Sequence, residues 1–117
     1  MSADEPRPTP STGPSPAMAV VAADGRAAAL VLAGDIGAGA LRDLEEFLDD
    51  PRLGRAAAWD LDLSGVTRLD LACGYALLRA VTLRPEPVAL TVHGARRSVQ
   101  RTLRSAGLDA VADIGGR

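Results

Sequence analysis

Apolar and polar positions alternate strictly from Trp59 to Leu63, then change period. Trp59, Leu61 and Leu63 fall on one side, Asp60 and Asp62 on the other. That is the period of a half-buried strand. From Leu71 to Leu83 the chain is strongly apolar at helical spacing and ends before Arg84-Pro85-Glu86-Pro87. Between the two lies Ser64-Gly65-Val66-Thr67-Arg68, read as a short polar turn. Upstream, Ala17–Gly34 reads as two strands around Asp24-Gly25, a favoured hairpin dipeptide. Gly39–Asp50 places Leu41, Leu44, Phe47 and Leu48 on one helical face, and Pro51 stops that helix. Pro87–Gly94 reads as a strand. Ala95–Gly107 reads as a helix with Val99 and Leu103 inward and Gly107 as C-cap. Leu108–Gly115 makes a short last strand.

The order is β-β-α-β-α-β-α-β. Strands alternating with crossover helices pair in parallel. The expected class is α/β: a mixed, mostly parallel sheet of about five strands with three or more helices and an antiparallel edge from the first hairpin. Residues 1–16 hold five of the chain's eight prolines together with Ser, Thr and Gly. Such a segment buries too little apolar surface to offset ordering entropy, so it reads as a disordered tail. Residues 17–115 form the folded domain.

With 117 residues and 47% hydrophobic content, the chain can build one compact core. Phe, Trp and Tyr occur once each, so that core is made of Ala, Val and Leu. The net charge of −2 gives no case for nucleic-acid binding. All thirteen basic side chains are Arg, which excludes Schiff-base and P-loop lysines. A single cysteine, Cys73, forms no internal disulfide, and a reducing cytoplasm is the expected setting. No apolar run reaches the ~20 residues that span a bilayer, and no secretory signal is read at the N-terminus.

Enzyme-like signals are incomplete. Gly34, Gly37 and Gly39 lie between a strand and a helix, where glycines let backbone approach a phosphate. Their order is not the dinucleotide fingerprint, so a plain connecting loop is favoured over nucleotide binding. Asp60, Asp62 and Asp70 could hold a metal, yet Asp60 and Asp62 read better as the solvated strand face. His93 has no second histidine and no nucleophile beside it. Cys73 sits near a helix N-terminus, which lowers thiol pKa, but a buried packing role is favoured. Arg96, Arg97, Arg101 and Arg104 form a solvated row or meet an acidic partner. No catalytic constellation is complete, and a binding module without a cofactor is expected.

Asp70 stands where it can N-cap the apolar helix. Leu61-Asp62-Leu63-Ser64-Gly65-Val66-Thr67-Arg68-Leu69-Asp70 followed by that helix resembles the STAS domain of bacterial anti-sigma factor antagonists. Leu30–Ile36 resembles the family's second strand, and Arg96–Val111 its last helix and closing segment. The resemblance covers about residues 18–114. It implies a non-enzymatic protein that binds an anti-sigma factor, itself a GHKL-type serine kinase, in partner-switching control of transcription. It also implies a docking surface at Asp70, Leu71, Ala72 and Gly74, with Ser64, Thr67 and Arg68 beside it. Family members carry a serine after the Asp, and the kinase phosphorylates it. Here Leu71 occupies that position, Ala72 the next, and Cys73 the family glycine. The standard switch cannot operate at Leu71, so a constitutive antagonist is expected, or a module whose partner is not such a kinase; substitute phosphorylation at Ser64 or Thr67 is the disfavoured alternative. The resemblance leaves a second option: a STAS subunit attached to a lipid or anion transporter. Nucleotide binding at Gly34–Gly39 is the lesser alternative.

Overall fold

The structure, a computed structural model, describes residues 16–116. The tail expected over residues 1–16 lies, apart from Pro16, outside the described residues. Five strands form one sheet in chain order: β1 (Ala17–Ala23), β2 (Ala27–Ile36), β3 (Ala58–Leu69), β4 (Ala89–Ala95) and β5 (Ala112–Gly116). Only β1 is antiparallel to its neighbour; β2 to β5 run parallel. The Asp24-Gly25 turn joins β1 to β2. Asp24 Oδ1 accepts from the backbone N–H groups of Arg26 and Ala27, and Gly25 takes a left-handed φ of 88°.

The helices are α1 (Leu41–Leu48), α2 (Pro51–Gly54), α3 (Leu71–Thr82) and α4 (Arg97–Ser105). A 3-10 turn, Ala38–Ala40, leads into α1, and another, Leu108–Ala110, leads into β5. Pro51 does more than end the first helix. It occupies the first position of α2, where its missing N–H costs nothing, and Asp50 caps that turn. Beyond Ala106, Gly107 takes the left-handed φ of 92° foreseen for a C-terminal glycine.

The order of elements matches the alternation of patterns in the sequence, because each strand buries one side. Leu30 and Leu32 of β2, Trp59, Leu61 and Leu63 of β3, and Leu90 and Val92 of β4 are buried. They meet Leu44, Leu53, Leu77, Val81, Val99 and Leu103 from the helices in one core cluster. α3 packs between α1 and α4. Ala29, Val31, Asp60, Thr91 and His93 on the opposite sheet face are half-buried or exposed. Parallel strands are usually covered on both faces. Here the alternation of small or polar residues with large apolar ones allows the second face to meet water.

One expectation is overturned. Ser64–Arg68 is not a turn: β3 continues through it to Leu69. Gly65 pairs with Ala33, Arg68 with Asp35 and Leu69 with Ile36, and the register shifts twice along this pair. The first shift moves the inward phase from odd to even positions and the second moves it back, so Val66 is buried after Leu63 and Leu69 after Val66. These moves break the alternation that marks a strand in sequence.

Candidate functional site

The C-terminal ends of β2 and β3 carry a small constellation at the start of α3. Asp70 is the N-cap, with extended backbone, and its Oδ2 accepts from the Ala72 N–H at 2.9 Å. Its own N–H donates to Ile36 O at 2.9 Å, which ties the α3 entry to the end of β2. Its carbonyl accepts from the Cys73 and Gly74 N–H groups. The helix therefore starts at a fixed place with its first donors satisfied.

That geometry decides what each following side chain meets. Cys73 is fully buried, and its thiol donates to Gly37 O at 3.5 Å. Burial, then the nearby Asp70 and Glu45 carboxylates, push its pKa up. This is the reverse of an activated nucleophile. Gly74 is buried against α4; a Cβ there would stand 3.1 Å from the Ala106 Cβ. Gly74, expected on the docking surface, is buried, because helix packing uses that position. Leu71 is 41% exposed and Tyr75 42%. Four residues apart, they share the outward face of α3, with half-buried Ala72 and Leu78 beside them.

Arg68 lies next to this tip. Its Nε donates to Asp35 Oδ1 at 2.9 Å and its Nη2 to Asp35 Oδ2 at 3.3 Å. The hydrogen bond to Asp35 raises the Arg68 pKa further above its ordinary value. The guanidinium lies over Gly37, where a Cβ would come within 2.6 Å of Nη2. The Gly34–Gly39 backbone is thus covered by a side chain at its centre, and Gly34 itself belongs to β2 at a φ of 87°. Asp35 and Tyr75 were not singled out by the sequence, and Gly37 was singled out only as part of a glycine loop. Helical spacing from Leu71 could have found Tyr75. Nothing local could have found Asp35, which meets Arg68 across 33 residues of chain.

Ser64 leaves the constellation. It lies six positions before Asp70, up to about 20 Å along an extended strand. It is exposed, with its N–H bonded to Asp62 Oδ1, and its Cβ crowds Gly94 of β4. The Ser64 hydrogen bonds pull the Asp62 pKa down. Thr67 is half-buried on the same strand. The three aspartates are also separate. Asp62 serves Ser64, Asp70 caps α3, and Asp60 Oδ1 meets His93 Nε2 at 2.6 Å on the open sheet face. Arg97, Arg101 and Arg104 line the outer side of α4.

The strongest feature is therefore a rigid helix tip that presents apolar side chains to solvent beside a fixed ion pair. Among the described residues, no helix is long and apolar enough to cross a membrane.

No curated protein sequence matches the chain significantly. A solved structure that resembles it is the crystal structure of an anti-sigma factor antagonist from Mycobacterium paratuberculosis. The TM-score is 0.72 at 21% identity, covering 88% of this chain and 87% of that one, which shows a shared fold. A family model described as "Mlab, STAS domain" matches residues 19–114.

Proposed function

The chain belongs to the STAS domain family over residues 19–114, and from that premise we propose that it is a non-enzymatic regulatory module resembling an anti-sigma factor antagonist. Its partner is a kinase-fold anti-sigma factor of GHKL type, and its α3 tip does the binding. The observation that supports this most directly is Leu71, apolar and 41% exposed immediately after the Asp70 cap. A rigid tip loses little conformational entropy on docking, and an exposed leucine gains from leaving water. Ala72 and Tyr75 extend the contact along α3, and Arg68 with Asp35 borders it.

Leu71 carries no hydroxyl, so the partner cannot transfer a phosphoryl group to this position. Binding is constitutive, and control lies in the amount of partner or of this protein. Ser64 is a poor substitute acceptor, because it lies far along β3 with Asp62 beside it; a phosphate there would face a carboxylate.

Leu71→Glu places a charge at the tip without touching the core. Retention of the kinase-fold partner should fall at least tenfold, with an unchanged circular dichroism spectrum. Leu71→Ser restores a hydroxyl at the family position. Incubated with the partner and ATP, that variant should gain one phosphate by intact mass, while the unaltered protein gains none. A stoichiometric phosphate on the unaltered protein contradicts constitutive binding.

A second reading keeps the surface and changes the partner. A STAS subunit seated permanently on a transporter-associated ATPase needs no hydroxyl at the tip either, and the leucine at 71 favours it for that reason. Co-purification with a transporter ATPase in place of the kinase-fold protein selects it.

A further inference from the structure

The outer face of the helical layer is polarised. α1 and its following turn, Leu41–Asp50, carry five carboxylates (Asp43, Glu45, Glu46, Asp49, Asp50) against Arg42 alone. On the other side of α3, Arg96–Ser105 carries four arginines and no carboxylate. Between them runs the ridge of α3, whose outward side carries Leu71 and Tyr75 exposed, Leu78 half-buried, and Arg79, exposed and paired with Glu45 of α1. Glu46, Asp49, Arg101 and Arg104 are all exposed. α1 and α4 lie on opposite sides of α3, so the charge difference runs across the ridge.

We infer that this face binds a second copy of the same chain. Closed dimers use one patch on both subunits, related by a twofold axis in the interface. An axis running along α3 sets the acidic α1 of one copy over the basic α4 of the other, twice, and stacks the two ridges. An axis across α3 would oppose acid with acid and base with base, which like-charge repulsion forbids. The charge pattern thus selects both the occupant and the orientation: two α3 helices running parallel, ridge on ridge. This dimer does not depend on the identity of any other partner.

The test is the molar mass in solution by light scattering and sedimentation, over a dilution series at low salt and at about 1 M salt, where the Debye length falls to about 3 Å. The unaltered protein should reach the two-chain mass at low salt, and its dissociation constant should rise at least tenfold in high salt. Two charge-reversed variants make the test specific. Glu46→Arg with Asp49→Arg cancels the net charge of the acidic flank; Arg101→Glu with Arg104→Glu cancels that of the basic flank, so neither variant can pair opposite charges with itself. Each alone should stay at the one-chain mass, and an equimolar mixture should form a dimer. Circular dichroism confirms that each variant is folded, as expected for exposed positions. A one-chain mass for the unaltered protein up to about 1 mM overturns the inference. So does dimerisation of either variant alone to the same extent as the unaltered protein, or the absence of a dimer in the mixture.

Discussion

Asp70 links backbone geometry to the exposed tip. Its carboxylate satisfies the Ala72 N–H, and its amide is held by Ile36 O. Asp70→Ala should lower stability by about 1 kcal/mol, the usual cost of a lost cap, while Asp70→Asn keeps most of it; urea denaturation measures both. Asp50 does the same for α2. The hydrogen bond from the Arg52 side chain, then that from its backbone, takes its pKa from the ordinary 3.8 to about 2. A depressed folded-state pKa contributes stability that is present above the unfolded value and is lost as pH falls toward 2. Carboxyl NMR should show Asp50 still ionised at pH 3. The Asp70 cap is legible in sequence, because a cap is a local device: an acid before a periodic run. The Asp50 cap is not, because Pro51 reads as a stop and α2 is a single turn. The exposure of Leu71 also follows from its place in the first turn. The Arg68–Asp35 pair does not, since two strands must first be set side by side.

At the scale of elements, the sequence failed where the strand broke its own rhythm. β3 reads as ending near Ser64 because Leu63 and Val66 are three apart, yet both are fully buried. The register shifts against β2 absorb two extra residues of β3, one at each shift. Ser64 and Thr67 therefore lie on a strand and not in a loop beside the helix, and this sets Ser64 apart from the start of α3. The close approach of β4 is enforced by Gly94, whose φ is 75° and whose missing Cβ would stand 2.8 Å from the Ser64 Cβ. Gly94→Ala should lower stability by about 1–3 kcal/mol, measured by thermal and urea unfolding. Gly74 plays the matching part between α3 and α4. Gly74→Val should cost about 1–3 kcal/mol, because Ala106 and Thr102 leave no room for a branched side chain. A glycine inside an apolar helix gave no hint of which neighbour it served.

At the scale of the whole molecule, the two faces of the sheet have different tasks. The helical side holds the core and presents the α3 ridge, flanked by opposite charges. The other side is a field of small residues with the His93–Asp60 pair. The architecture was legible in advance, because alternation of period 2 and period 3.6 dictates strand and helix order. The division of labour between faces was not, because it depends on which helices share a side. The same ridge serves the proposed partner complex and the proposed dimer, so excess partner should dissociate the dimer. The most direct measurement is paired capture from the native extract on immobilised unaltered protein and on Leu71→Glu, quantified by mass spectrometry. The account predicts a GHKL-type kinase-fold protein on the first and at least tenfold less of it on the second. Equal retention by both, or no kinase-fold protein on either, contradicts it.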